Sequence, residues 1–280
     1  MIIGSHVSLS APDYFLGAVK ETLSYNANAL MLYTGAPQNT IRKPISELKV
    51  KEAISLMKEN NIDIKNCIVH APYIINLANK VKPETRELAI SFLTKEIQRV
   101  QELGAYYLVL HPGSHVSQSL EVGIQAVIEG LNEVVKKDDN IMILLETMAG
   151  KGTEIGRSFE EIKHILDNVD LKDKFGVCLD TCHVNDAGYD ISSVDKLIQE
   201  FDEIIGLNHL KVIHVNDSKN DRGTNKDRHE NIGKGTIGLK TLHTIVNHPK
   251  LIDVVKILET PWIDGEPPYK KEIELLKSKL

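Results

Sequence analysis

Six short apolar runs in this chain each end in a side chain that can bind a metal ion or move a proton. They are CIVH at His70, YLVLH at His111, IMILLE at Glu146, GVCLD at Asp180, LKVIH at His214 and VKILE at Glu259. The intervals are 41, 35, 34, 34 and 45 positions, about one strand-plus-helix unit each. Any one of these residues alone reads as a polar side chain closing its strand. Six in succession, all His, Asp or Glu and none Lys, Ser or Thr, point to a shared metal centre. Imidazole and carboxylate ligands without paired thiolates suit zinc or manganese, and the histidine share favours zinc. So many acids in one place would also need cations to offset their repulsion.

Two further stretches carry ligand types. In GVCLDTCHVNDAGYD, residues 176–190, a buried strand is expected to run out into a loop at Asp180, with His183 three residues on. Asp, Thr, Asn and Gly also favour turns for local hydrogen-bonding reasons, so this stretch alone is ambiguous. In HVNDSKNDRGTNKDRHENIGKGTIG, residues 214–238, Asp227 and His229 straddle Arg228. Spacing of i and i+2 in an extended segment puts both side chains on one side, as chelation of one ion requires. Gly233, Gly235 and Gly238 spell GxGxxG, with Glu259 about 20 residues on. A dinucleotide fingerprint must follow a buried strand, and the preceding DRHENI is polar, so these glycines read as a close-packed loop entering a helix. Cys67, Cys178 and Cys182 are odd in number and lack a second CxxC-like pair, so they are expected to be packing residues in a reducing compartment. His164, His209, His243 and His248 fall in or beside predicted elements and receive no site role.

These residues need a scaffold that gathers strand ends. Apolar, β-rich runs fall at 2–4, 29–33, 67–70, 106–111, 141–146, 176–180, 210–214 and 254–259. Amphipathic stretches lie at 11–24, 46–60, 83–103, 120–137, 158–168, 194–205 and 239–247, with a last one at 269–280. Pro83 suits a first helical turn, and Ser158 followed by Glu161 resembles a capping box. No linker or composition shift interrupts the pattern, so residues 1–280 are expected to form a single domain. Eight strand and helix pairs favour an α/β fold of the (β/α)8 TIM-barrel kind, which collects the C-terminal ends of its strands on one face. An open doubly wound sheet, the alternative, would spread the six ligands along a row.

The bulk properties are those of a soluble globular protein. At 280 residues, 42% hydrophobic and 26% charged, the chain is long enough for one barrel of routine size. No apolar run approaches the roughly 18 residues of a membrane span, and MIIGSHVS lacks the basic start of a secretory signal, so a cytoplasmic protein without a membrane partner is expected. A net charge of -6 argues against a basic coat but leaves room for a local nucleic-acid site.

At the level of motifs the chain resembles the endonuclease IV family of abasic-site endonucleases. The likeness runs from IIGSHVS to the LET at residues 258–260, through HPGSH at 111–115, GVCLDTCH with AGYD, and HVNDSKN through DRHENIGKGTIG. It implies a xylose-isomerase-like barrel holding three Zn²⁺, with Mn²⁺ as a possible substitute. His70, His111 and Glu146 would hold one ion, with Glu146 bridging to a second completed by Asp180, His214 and Glu259. His183, Asp227 and His229 would hold the third. The implied substrate is double-stranded DNA with abasic sites or blocked 3′ ends, cut 5′ of the lesion to leave a 3′-hydroxyl and a 5′-deoxyribose phosphate. A zinc-bound hydroxide would attack, with Glu146 and Glu259 as the catalytic carboxylates and Glu259 orienting the nucleophile. The same site should clean 3′ ends as a phosphodiesterase and phosphatase. Three divalent ions would bring the formal -6 to about zero.

The family also inserts side chains from the loops after strands two and three, here residues 35–40 and Tyr73 with Ile74. Gln38 departs from members that carry arginine there. Lys151, Arg157, Lys219, Arg222, Lys226, Arg228 and Lys234 lie in loops expected on the same face, and Arg228 is the one assigned to DNA. The chain is expected to act as a monomer. A sugar isomerase or epimerase on a related metal barrel is the rival, but it would leave His70, His111, His183, Asp227 and His229 without a shared purpose. A non-catalytic nucleic-acid binder would not need the cluster at all.

Overall fold

The computed structural model, which describes residues 1–279, has ten strands, eight of them short runs rich in buried aliphatic residues and two of them polar pairs. They are β1 (Ile2–His6), β2 (Ala29–Leu32), β3 (Cys67–His70), β4 (Tyr107–Leu110), β5 (Met142–Glu146), β6 (Phe175–Asp180), β7 (Leu210–His214), β8 (Asp217–Ser218), β9 (His229–Glu230) and β10 (Val255–Leu258). Strands β1 to β7 and β10 pair in parallel, each with its sequence neighbour, and β10 closes onto β1. The structure is therefore a closed TIM barrel, as expected, and not an open sheet. The helices are α1 (Tyr14–Ser24), α2 (Val50–Glu59), α3 (Pro83–Leu103), α4 (Leu120–Val134), α5 (Phe159–Asn168), α6 (Thr181–Ala187), α7 (Val194–Ile204), α8 (Leu239–Asn247) and α9 (Tyr269–Lys277). The expected last helix reaches Lys277, and its end at Leu280 lies outside the described residues. Among the described residues, no helix is long and apolar enough to cross a membrane.

Local signals explain several helix starts. Pro83 occupies the first turn of α3, where its missing N–H is no loss. Ser158 caps α5 by accepting from Glu161 N at 3.3 Å, but Glu161 turns its carboxylate to Gly156 N at 2.7 Å and Arg157 N at 3.3 Å. Only half of the expected capping box forms. The other half supports the turn that leads into the helix.

Both faces of each barrel strand are buried, as parallel sheets require. Alternation then divides the side chains into two cores. Ala29, Met31, Ile68, Val109, Leu144, Cys178, Val212, Val255 and Ile257 fill the barrel interior. Leu30, Leu32, Val69, Leu108, Ile143, Leu145, Val177 and Ile213 point outward into the shell of helices. Burying one such aliphatic side chain is worth about 1.5–3 kcal/mol, so this phase is strongly fixed.

Two expectations about loops are corrected. Asp180 does not lead into a loop: it is the N-cap of α6, its Oδ1 accepting from His183 N at 2.8 Å. Nor is Asp227 in a regular extended segment. It adopts φ +54°, held there by Asp186 Oδ2, which accepts from Asp227 N at 3.0 Å.

Candidate metal centre

The interior phase of the barrel decides where the strand-end residues point. His70 follows Ile68 by two positions, His111 follows Val109, Glu146 follows Leu144, Asp180 follows Cys178, His214 follows Val212 and Glu259 follows Ile257. Each inherits the inward direction from a barrel-interior residue two places earlier. His111 and Glu259 lie one residue beyond the ends of β4 and β10 and keep the same phase.

The result is a cluster built around the buried Glu146 carboxylate. Its Oε2 lies 3.0 Å from His70 Nε2 and 3.1 Å from His111 Nε2, and its Oε1 lies 3.0 Å from His214 Nδ1. His214 Nδ1 is also 3.0 Å from Glu259 Oε2 and 3.9 Å from Asp180 Oδ2. Two sets of metal-competent atoms result: His70, His111 and Glu146 in one, and Glu146, Asp180, His214 and Glu259 in the other. Beyond them, His183 Nε2 is 3.1 Å from Asp227 Oδ1, and His229 Nε2 is 3.6 Å from both Asp227 Oδ1 and Asp180 Oδ2. Here two trios overlap, Asp180 with His183 and His229, and Cys182 with Asp227 and His229. The Cys182 sulfur, expected only to pack, thus borders this end of the cluster.

The arrangement fits cations on two grounds. His70 Nδ1 donates to Ala71 O at 2.7 Å and His183 Nδ1 to Thr147 O at 2.8 Å, so in each neutral ring the Nε2 lone pair faces a carboxylate oxygen. Two acceptors about 3 Å apart need a positive charge between them. Among the described residues, His229 Nε2, the ring atom turned to Asp227 and Asp180, is also buried without a hydrogen-bond partner. Ligand atoms about 2.05 Å from a tetrahedral zinc lie about 3.3 Å from one another, inside the range of 3.0 to 3.9 Å found between these groups.

Electrostatics without a metal report the same strain. Burial disfavours charge on His111, yet Glu146 beside it holds its imidazole above the ordinary value. Burial likewise opposes charge on His183 and His214, but Asp180, Asp227 and Glu146 around the first, and Cys178, Glu259 and Glu146 around the second, hold both well above it. Burial works against ionisation of Glu146, but His214 and His111 outweigh it and keep this carboxyl well below its ordinary value. Glu259 is lowered too, because His214 outweighs its burial. Burial alone pushes the Cys67 thiol up to about 12, consistent with a packing residue.

Polar residues that the sequence did not flag hold these ligands in place. Asn216 donates to Asp180 Oδ2 at 2.7 Å and accepts from Glu259 N at 2.9 Å, tying β6, β7 and β10 together. Thr147 Oγ1 accepts from Asp180 N at 3.0 Å. Residues 19–279 match the model of the xylose isomerase-like TIM-barrel family. A probable endonuclease 4 of Acholeplasma laidlawii is 55% identical over 283 residues, spanning 100% of this chain and 96% of the relative. The chain belongs to the endonuclease 4 family. Endonuclease IV of Thermus thermophilus superposes with a TM-score of 0.84 at 27% identity, over 99% of this chain and 98% of that one. A D-tagatose 3-epimerase-like protein also superposes, with a TM-score of 0.73 at 20% identity over 99% and 96% of the two chains. That second likeness is one of fold, the barrel being common to both.

Two strand ends outside the expected ligand set complete the ring in this endonuclease 4 family member. His6 of β1 and Tyr33 after β2 stand with ring centres 5.4 Å apart, and Tyr33 stands 5.1 Å from His70. They line a cavity of about 430 Å³ together with Gly35, Pro37 and Trp262. Trp262 is 60% exposed, and Tyr73 and Ile74 are 55% and 36% exposed. Gln38 and Arg228 are exposed as well, Arg228 bonding Asp227 O at 2.9 Å.

Proposed function

We propose that this protein is a metal-dependent hydrolase that cuts duplex DNA on the 5′ side of abasic sites, leaving a 3′-hydroxyl and a 5′-deoxyribose phosphate. The observation that carries the reading is the Glu146 carboxylate, shared between the His70 and His111 pair and the trio of Asp180, His214 and Glu259, in a member of the endonuclease 4 family. Three zinc ions are assigned, with manganese a possible substitute: His70, His111 and Glu146 hold the first, Glu146, Asp180, His214 and Glu259 the second, and His183, Asp227 and His229 the third. Bound there, zinc would supply Lewis acidity toward phosphoryl oxygens and lower the pKa of water toward about 7.

The protein's own groups do the rest. Glu259, kept ionised by His214 beside it, accepts a hydrogen bond from the attacking water and orients it in line with the phosphorus. Glu146 is ionised and holds its two neighbouring ligand sets in register. The exposed Tyr73 and Ile74 wedge into the stack where the base is missing, Gln38 enters from the neighbouring loop, and Arg228 meets the phosphate backbone. The same centre removes 3′ blocking groups, and the chain acts as a monomer.

The decisive experiment incubates the metallated protein with a duplex carrying a single abasic analogue, with and without chelator. Single nicks with polymerase-extendable 3′ ends are expected, abolished by chelation, from a protein that carries about three zinc ions per chain. One ion per chain, or intact duplex after incubation with the fully metallated protein, would sink the assignment.

A further inference from the structure

The loop after β2 is anchored from beneath by α3. Phe92, Glu96 and Arg99 recur along one side of that helix at helical spacing. Thr34 Oγ1, at the start of the loop, donates to Glu96 Oε2 at 2.6 Å, and Arg42 Nε, at its end, donates to Glu96 Oε1 at 2.8 Å. Arg99 Nη2 bonds Thr34 O at 3.3 Å, and the Arg42 guanidinium lies over the Phe92 ring, 4.7 Å from its centre. Both ends of the segment therefore meet on one carboxylate that is fully buried.

From that anchored position Arg42 reaches back into the loop. Its Nη1 donates to Ala36 O at 3.2 Å, Asn39 O at 3.0 Å and Ile41 O at 2.9 Å. Gly35 makes room for it, since a Cβ there would lie 2.7 Å from Arg42 Cδ and 2.9 Å from Nη1. The other side of the loop is bare: Gln38, Asn39 and Thr40 are exposed, and Ile41 is 78% exposed. Ala36 and Pro37 wall the cavity beside the metal cluster. A buried ion pair gains little stability, because desolvation offsets its attraction, but a planar guanidinium fixes one geometry. None of the hydrogen bonds of Arg42 or Glu96 goes to a candidate metal ligand.

We infer that Arg42 and Glu96 are positioning residues for the substrate: the pair casts residues 35–41 in one shape, presents Gln38 and Ile41 to the duplex, and so sets affinity without entering the chemical step. The inference rests on the proposal that this face binds damaged DNA.

Steady-state nicking of an abasic-analogue duplex by metallated protein tests it, using wild type, Arg42→Lys, Arg42→Ala, Gln38→Ala and the Arg42→Ala, Gln38→Ala double variant. Lysine keeps a charge for Glu96 but has no planar fork to hold three carbonyls. Both Arg42 substitutions are expected to raise KM about tenfold, with kcat and zinc content within about twofold of wild type. Gln38→Ala should raise KM in the wild-type background and add nothing to Arg42→Ala, whose loop has already lost its shape. Unchanged KM in folded Arg42→Lys protein, additive effects of the two alanine substitutions, or a loss of kcat or zinc at constant KM would each overturn the clamp. Should Arg42→Ala not fold, the lysine variant decides alone. Failure of the metallated wild type to nick would instead overturn the endonuclease reading, so the two failures are separable.

Discussion

His70 and His183 each commit one ring nitrogen to a backbone carbonyl, and that leaves Nε2 as the ring atom turned to the carboxylates. Neighbouring carboxylates hold His111, His183 and His214 above the ordinary imidazole value, so without metal these rings keep protons to higher pH than a free imidazole does. In the metal-free protein their stabilising contribution is complete below the unfolded value of 6.5 and is lost as pH rises through the higher folded values. Glu146 contributes with the opposite sign, fully present above 4.5 and lost as pH falls. Metal needs the imidazole lone pairs, so zinc uptake at pH 7 should release protons and zinc affinity should weaken as pH drops. Titration calorimetry in two buffers of different ionisation heat measures this, and uptake without proton release would contradict it. The six strand-end candidates were legible because each sits at the same phase of an apolar run. His6 and Tyr33 were not: aromatic and imidazole side chains beside HVS and TGAP give no hint that two more strands point the same way.

Among the elements, the glycine-rich segment before α8 is the most tightly determined. Its amides close on the carboxylate of Asp217: Gly233 N donates to Oδ2 at 2.9 Å and Ile237 N to Oδ1 at 3.0 Å. Gly235 passes so close that a Cβ would fall 2.3 Å from Ser218 O and 2.5 Å from Asp217 Oδ1. Gly235→Ala should therefore cost about 2–4 kcal/mol in chemical denaturation, well beyond an ordinary surface change, and a variant of wild-type stability would refute this packing. The polar sequence before these glycines was enough to set aside a dinucleotide site. By contrast, α6 stayed hidden because residues 181–186 are all buried and several are turn-favouring types, so no apolar face alternates with a polar one, although Gly188 at φ +114° marks its end. The left-handed turn at Asp227 was equally unreadable, since it depends on Asp186, 41 positions away.

For the molecule as a whole, the candidate ligands come from β3 to β7 and β10, so cations in the centre would tie most of the barrel wall together. Ligands that bind only the folded chain stabilise it by about 4 kcal/mol at a thousandfold excess over Kd. Chelation should accordingly lower the thermal midpoint by about 8 °C or more, reversibly on adding zinc. A midpoint indifferent to chelator in scanning calorimetry would argue against ions in the wall. The barrel itself followed from eight strand and helix pairs whose polar strand ends converge on one face only if the sheet closes. Its two remaining strands, β1 and β2, end in His6 and Tyr33, which belong to none of the candidate metal groups. The centre is therefore off-axis, and the mouth of the barrel has a sense of direction. A polynucleotide crossing it with one strand polarity meets the vacated sector before the ions, and with the other meets the ions first. The two are not equivalent, so the side of a lesion that is cut would be written in which strands carry no ligand.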